Sequence, residues 1–260
     1  MSTSMQTWER AEIRRSSVEA TLTPDAALRV GARHFARYLS PRADTPFPLE
    51  YAYHLLGNVQ GRRVIDFGCG SGSNAVQLAN RGASVWGVDI SEDLIRIAQR
   101  RMAVNGRSGG AQFIVASAHD LPFEDGSIDA VFGIAILHHL DLLRVSREVH
   151  RVLRRGGRAI FQEPVRNSAM VRLVRSLIPY HAPDVSPYER PLTDPELRQF
   201  AAPFSSMRSR AFTLPFVSAG QILPVVKQHV DRLYKVDGEI LRRFPALSYY
   251  AGIRVFEVVK

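Results

Sequence analysis

The sequence predicts an α/β fold built on a doubly wound parallel sheet, and three observations support this. Between residues 60 and 164, short runs rich in apolar residues alternate with amphipathic helical segments. Two of the predicted helices end at glycine, a common helix stop. Strands that are separated by helical crossovers pair in parallel. With 260 residues, the chain can bury a substantial core as one domain that carries inserts.

The predicted elements of this region follow in order. A first strand, Arg63–Phe67, enters a glycine-rich loop, and the helix that follows at 74–81 stops at Gly82. A second strand, Ser84–Asp89, precedes a helix capped by Ser91. The remaining strands are expected at 112–116, Ile128–Ile134 and 158–162, with a helix at 141–155.

The flanking segments have different patterns. Residues 1–58 are expected to form a helical cap over a domain at 59–260, and one cap helix, 26–39, breaks at Pro41. Five prolines between residues 179 and 195 exclude a long helix there. An amphipathic helix is expected at 168–178, and the two final strands are expected at 206–213 and Ile253–Val259. Two substrate-side inserts are expected at 165–200 and 214–246.

Composition excludes several classes of protein. No run approaches the roughly 20 apolar residues that cross a bilayer. The first residues lack the apolar core of a secretory signal, so a cytoplasmic location is expected. The single cysteine, Cys69, excludes a disulfide framework. The scattered histidines lack metal-ligand spacing, so no metal is expected.

The formal net charge of +9 comes almost entirely from arginine. The densest run is Arg144, Arg147, Arg151, Arg154, Arg155 and Arg158. Spacing of three and four places most of these residues on one helical face, opposite Val145, Val149 and Val152. A solvated face is the favoured interpretation, and a phosphate-binding face stays open. No aromatic residues are interleaved to stack bases, so nucleic acid is not an expected partner.

The glycine-rich loop Gly68-Cys69-Gly70-Ser71-Gly72 joins the first strand directly to a helix. Glycines let the backbone approach a ligand, and the N–H groups at the helix start favour an anionic group. Asp89, at the tip of the second strand, can accept hydrogen bonds from both hydroxyls of a ribose. This order predicts a nucleoside-containing ligand. Residue 73 is serine and this half of the chain contains no lysine, which argues against dinucleotide and triphosphate loops.

Four segments together resemble the class I S-adenosylmethionine-dependent methyltransferases. They are VIDFGCGSG, VWGVDIS, AHDLPFEDGSIDAVFGIAILHHL and EVHRVLRRGGRAIFQEP, and they occur in the order of the family over about residues 60–164. Within this superfamily, the chain looks most like the small-molecule branch that includes the quinone C-methyltransferases. The resemblance implies a Rossmann-like sheet of seven strands whose last strand is antiparallel. It also implies S-adenosyl-L-methionine as cofactor and S-adenosyl-L-homocysteine as product.

The resemblance further implies the cofactor contacts. Gly68, Cys69 and Gly70 would present backbone to the methionine end, and Asp66 would orient the loop. The other implied contacts, from ribose and adenine to the methionine portion, are Asp89, Ile90, Ser117, Ala118, Gly133 and Ile134. The family often has aspartate at the position of Ser117, so the contact with the adenine amino group is expected to be weaker here.

Candidate catalytic residues lie at the tips of the fourth and fifth strands. His138, His139 or Glu163 is placed to act as a base for an oxygen or nitrogen acceptor. The alternatives are that one histidine packs or caps the next helix and that Glu163 hydrogen-bonds a loop. Substrate contacts, with ordinary packing as the alternative, are predicted at Tyr38, Tyr51, Tyr180, His181 and Tyr188.

The leading functional prediction is methyl transfer by in-line displacement to a small, partly apolar acceptor in specialised metabolism. An RNA methyltransferase is an alternative that rests on the net charge, although no RNA-binding module or Asn-Pro-Pro-Tyr motif is present. A non-catalytic module that binds the cofactor is another alternative. A lipid acceptor at an anionic membrane surface also fits the charge. The C-terminal insert is a candidate face for a homo-oligomer.

Overall fold

The computed structural model describes residues 24–169, 190–217 and 228–260. The strands in these ranges are β1 Arg63–Phe67, β2 Ser84–Asp89, β3 Ala111–Val115, β4 Ile128–Ile134, β5 Leu153–Pro164, β6 Ser206–Phe212 and β7 Ile253–Val259. They form one seven-stranded sheet in the order β3-β2-β1-β4-β5-β7-β6. The seven-stranded sheet implied by the family resemblance is confirmed.

Strand direction changes only at the last strand of the chain. Strands β1 to β5 pair with one another in parallel, whereas β7 runs antiparallel to both β5 and β6. The carboxyl ends of β1 to β5 therefore meet at one edge of the sheet, where open α/β sheets bind their ligands.

Helices cover both faces of this sheet. The helices described are α1 Asp25–Leu28, α2 Ala32–Leu39, α3 Pro48–Leu56, α4 Ser73–Asn80, α5 Glu92–Val104, α6 Leu142–Val152, α7 Asp194–Ala201 and α8 Val230–Arg243. Successive strand residues point to opposite faces. Accordingly, Val131 packs in the core shared with α6 and α7, and Phe132 packs in the core shared with α3 and α4.

The prediction of one continuous N-terminal helix at 26–39 is wrong. The segment divides into α1 and α2, and residues 29–31 between them are outside both helices. Asn105, directly after α5, explains the break, because its Oδ1 accepts from the Val30 N–H at 2.8 Å and its Nδ2 donates to the Leu28 carbonyl at 2.9 Å. These two bonds replace bonds that a continuous helix would make.

The predicted arginine helix at 141–155 is too long. It ends at Val152, and Leu153 already pairs with Ile128 of β4. Arg154 and Arg155 therefore lie in β5 and leave the predicted helical face. The buried face was predicted correctly, since Val145, Val149 and Val152 are fully buried.

Other predicted features fall at the limits of the described residues. Most of the predicted helix at 168–178 and part of the insert at 214–246 lie outside these residues. Helix α3 was not predicted from the sequence, although the proline at its first position was a signal for it. Among the described residues, each helix is too short or too polar to cross a bilayer.

Candidate active site

The loop between β1 and α4 is fixed to β2 by backbone hydrogen bonds. The N–H groups of Gly68 and Cys69 both donate to the Val88 carbonyl, at 2.9 and 3.0 Å. Gly70 has a φ of 49° and faces open space, because a Cβ built there would have no neighbour within 4 Å. The loop thus presents bare backbone at Gly70, at the carboxyl edge of the sheet.

Asp89 ties this loop to the start of α5. Its Oδ2 accepts from the Gly70 N–H at 2.8 Å, and its Oδ1 accepts from the Ser91 N–H at 2.9 Å. Ser91 in turn caps α5, as predicted, by accepting from the Leu94 N–H. Each carboxylate oxygen can accept more than one hydrogen bond, so the partly buried Asp89 keeps capacity for the hydroxyls of a ribose.

Asp66, at the base of the loop, is a buried carboxyl group. Burial raises its pKa to about 7, although a hydrogen bond from the Ala75 N–H acts in the opposite direction. The nearby charge of Asp89 raises the pKa further. Among the described residues, no donor reaches its Oδ2 atom. A buried acceptor without a partner is costly, so this atom fits a cationic or hydrogen-bonding group of a ligand.

Glu163 holds the segment that follows β4. Its buried Oε1 accepts from the N–H groups of Ile136 and Leu137, at 2.9 and 2.8 Å, and its Oε2 lies 2.8 Å from His138 Nδ1. The predicted alternative of loop hydrogen bonding is therefore observed. The carboxylate favours the tautomer with the proton on Nδ1, and Nε2 is then the basic nitrogen of His138. The ring of His139 lies 4.0 Å from that of His138.

A buried histidine that the sequence analysis did not single out organises the tip of β3. His119 Nε2 accepts from the Asp141 N–H at 3.1 Å, and its Nδ1 lies 3.3 Å from Ser117 Oγ. Asp141 itself caps α6 by accepting from the N–H groups of Leu143 and Arg144. His119 thus links the predicted adenine-side residue Ser117 to the start of α6.

The predicted cofactor residues all lie at the carboxyl ends of neighbouring strands or just beyond them. Because β3, β2, β1 and β4 are adjacent, the sheet brings together Gly68, Cys69, Gly70, Asp89, Ile90, Ser117, Ala118, Gly133 and Ile134. Next to this group, the backbone of Ala135 has a φ of 55°, which is unusual for a residue other than glycine. Such local strain is common at functional sites.

The predicted substrate residues have different surroundings. Tyr38 is buried, with its ring 4.9 Å from that of Tyr53. Tyr51 packs on Phe212 of β6 under the guanidinium of Arg210. These contacts are those of ordinary packing, the alternative stated above. The other three candidates, Tyr180, His181 and Tyr188, lie outside the described residues.

Tyr53 of α3 is a neighbour of the loop that the sequence analysis missed. It is fully buried, and its hydroxyl donates to Asn74 Oδ1 at 3.1 Å, at the start of α4. The apolar residues of α3 could have indicated its buried face, but not its contact with a helix that begins about 20 residues later. In the described parts of the chain, no group of three or more His, Cys, Asp or Glu residues is arranged to hold a metal ion.

Comparison with known proteins agrees with this geometry. Residues 65–161 match the family model described as a methyltransferase domain. The chain is 39% identical over 105 residues to the O-methyltransferase rstn1 of Aspergillus nomiae, which covers 40% of this chain and 47% of that protein. It is 26% identical over 200 residues to the 2-phytyl-1,4-naphtoquinone methyltransferase of Nostoc punctiforme, which covers 75% of this chain and 80% of that protein. The match spans less than half the length of the first of these relatives.

Solved structures extend the comparison to the fold. A geranyl diphosphate methyltransferase in complex with GPP and sinefungin aligns with a TM-score of 0.55 at 20% identity, over 80% of this chain and 76% of that one. The MccD protein aligns with a TM-score of 0.55 at 21% identity, over 84% of this chain and 100% of that one. Residues 65–161 thus match a methyltransferase domain, and the seven-stranded fold is that of the class I S-adenosylmethionine-dependent methyltransferases.

Proposed function

We propose that this chain binds S-adenosyl-L-methionine and transfers the methyl group to a small, partly apolar acceptor, leaving S-adenosyl-L-homocysteine. The observation that carries the proposal is the hydrogen bond from the Gly70 N–H to Asp89, together with the buried carboxyl group of Asp66 at the base of the same loop. The named activities of relatives support a small acceptor, since they include O-methyltransferases and quinone methyltransferases. The comparisons offer no support for an RNA acceptor.

The residues at the loop fit this cofactor. Asp89 would hold the ribose hydroxyls, and Asp66 would face a cationic group such as the methionine ammonium. Gly70 leaves room for the ligand where a Cβ would otherwise stand. S-Adenosyl-L-methionine supplies a methyl group that is already activated on a sulfonium sulfur. The protein then has mainly to align the acceptor for in-line displacement and to exclude water.

His138, with Glu163 behind it, is the candidate base for an acceptor that must lose a proton. Glu163 fixes the Nδ1 proton of His138, which leaves Nε2 to accept a proton from a hydroxyl or amine. In this arrangement Glu163 is a positioning residue for His138. His139 remains a candidate for contact with the acceptor, and no role in the reaction is required of it.

We also propose a cytoplasmic enzyme of specialised metabolism. Support comes from the 38% identity over 100 residues to the 27-O-demethylrifamycin SV methyltransferase of Amycolatopsis mediterranei. The single cysteine, which provides no disulfide framework, favours a reducing compartment such as the cytoplasm. A homo-oligomer formed through residues 214–246 stays a prediction.

Calorimetry with S-adenosyl-L-homocysteine tests the binding half of this function. We expect Asp89→Asn to weaken binding at least tenfold, because the neutral amide loses the strong acceptors for the ribose. Asp93→Asn, in the first turn of α5 and paired with Arg96, is the matched control and should bind as the wild type does. Equal binding by both variants would remove Asp89 from the site.

The transfer half needs a labelled methyl group and a panel of acceptors. Transfer to small phenols, acids or quinols supports the proposal. Label that appears only in added RNA would reject a small acceptor. A wild-type protein that gives no heat with S-adenosyl-L-homocysteine would reject the cofactor itself.

A further inference from the structure

One side of helix α5 is packed against the glycine-rich loop. A Cβ built on Gly72 would lie 2.8 Å from the Cβ and 2.9 Å from the Cα of Ala98, so the loop and the helix are in close contact. One turn further along, Arg101 Nε donates to the Ser71 carbonyl at 2.7 Å, and its Nη2 lies 3.3 Å from Ser71 Oγ. Arg101 therefore holds the loop residue next to Gly70.

The same helix also holds the N-terminal residues 24–30. Leu28 is fully buried, in a small cluster with Leu94 and Ile97 of α5. The backbone on both sides of Arg29 is fixed by Asn105, through the Leu28 carbonyl and the Val30 N–H. Arg101 contributes here too, because its Nη1 lies 3.4 Å from the Leu28 carbonyl.

Arg101 thus contacts both the glycine-rich loop and the N-terminal segment. Its guanidinium bridges a carbonyl of the loop and a carbonyl of the N-terminal segment, and a planar group with five donors suits such a bridge. The Arg101 side chain is half-buried, so its guanidinium is partly removed from water, and this burial lowers its pKa. Hydrogen bonds from a partly desolvated charge are stronger than those in water.

We propose that Arg101 is a positioning residue that couples the docking of residues 24–30 to the shape of the cofactor loop. The proposal rests on the proposed function and deepens it. Ser71 adjoins Gly70, which is bonded to Asp89, and Asp89 is bonded to the start of α5. A docked N-terminal segment therefore favours the loop geometry that binds the cofactor. Coupling between binding equilibria is reciprocal, so the cofactor must in turn favour docking of the segment.

The test measures affinity for S-adenosyl-L-homocysteine by calorimetry in four variants. Arg101→Gln and Leu28→Ala are each expected to weaken binding about fivefold or more, in the usual range of coupling between sites. Arg101→Lys keeps the charge without the two-carbonyl bridge, and it should also weaken binding. Arg96→Gln is the matched control, since Arg96 lies on the exposed side of α5 and binds Glu92 and Asp93. It should stay within twofold of the wild type.

Two readouts separate coupling from a merely structural role. In the double variant, Leu28→Ala should have little further effect once Arg101 is glutamine, whereas independent effects would multiply. Hydrogen exchange of the amides in residues 24–31 should slow at least threefold when S-adenosyl-L-homocysteine binds the wild type, and should not respond in Arg101→Gln.

The outcomes distinguish this inference from the proposed function. If Arg101→Gln and Arg101→Lys bind like the wild type, the coupling is overturned although the cofactor site stands. Multiplying effects, or exchange that ignores the ligand, overturn it as well. If the wild type itself does not bind S-adenosyl-L-homocysteine, the proposed function fails first.

Discussion

Asp89 and Asp66 lie beside the same loop, but their carboxyl groups are buried to different extents. Asp89 is partly exposed, and its carboxylate oxygens accept two backbone N–H groups. Asp66 is buried beneath the loop, and desolvation favours its neutral form. A bound cation near Asp66 would stabilise the ionised form instead. Proton release from Asp66 is thus an expected companion of cofactor binding.

The pH dependence of stability tests the state of Asp66. Its pKa in the folded protein is about 7, above the usual aspartate value of 3.8, so between these values the folded state holds a proton that the unfolded state has lost. The free energy of unfolding should therefore fall as pH rises from about 4 to 7, by at most about 1.4 kcal/mol per unit from this group. Urea unfolding at pH 5, 6 and 7 measures it. Asp66→Asn should fall less steeply than the wild type, and parallel slopes would contradict a neutral Asp66.

Single residues were predictable where a contiguous motif carries them. Gly70 and Asp89 belong to segments that run directly from a strand into a turn, so their places at the sheet edge follow from strand order. Tyr53 and Arg101 reach the same loop from helices, through contacts with Asn74 and Ser71. Helical periodicity shows which side of a helix is apolar, but it does not show which loop lies against that side.

At the scale of elements, helix α6 also makes contacts with a distant segment that helical periodicity does not predict. The sequence analysis left Arg151 as part of a solvated or a phosphate-binding face. In the structure its guanidinium donates to the carbonyls of Leu121 and Phe123, at 2.9 and 2.7 Å, and to Glu148 Oε1 at 2.6 Å. Arg151 thus fixes the segment between β3 and β4 to α6. Neither interpretation foresaw this role, since the carbonyls lie about 30 residues earlier in the chain.

Replacing Arg151 should loosen this segment. We expect Arg151→Met to lower the free energy of unfolding by about 1–3 kcal/mol, because buried or charge-assisted hydrogen bonds to two carbonyls are lost. Arg147→Met removes an exposed arginine from the same helix and should change stability by less than about 0.5 kcal/mol. Chemical unfolding of both variants measures the difference. Equal losses would mean that the bonds of Arg151 add nothing beyond an ordinary surface arginine.

At the scale of the whole molecule, a cluster of phenylalanine rings joins the two halves of the sheet. Phe161 of β5 lies 6.1 Å from Phe67 of β1, 5.3 Å from Phe200 of α7 and 5.5 Å from Phe256 of β7, measured between ring centres. The sequence predicted strands at all three of these strand positions, Arg63–Phe67, 158–162 and Ile253–Val259. The antiparallel direction of the last strand was expected only from the family resemblance, and its place between β5 and β6 was not predicted, because local periodicity contains no information on the order of strands in a sheet.

Phe161→Ala tests whether the two halves unfold together. The ring contacts both the strand before the cofactor loop and the elements beyond β5, so we expect a loss of about 3–5 kcal/mol. Phe244→Ala, which removes a ring that is 54% exposed, should cost far less. Unfolding is followed by circular dichroism and by Trp86 fluorescence in a Trp8→Phe background. Because Trp86 lies in β2, coincident shifts of both signals mean that the ring stabilises the cofactor half as well, whereas an unshifted fluorescence transition would mean that the halves unfold independently.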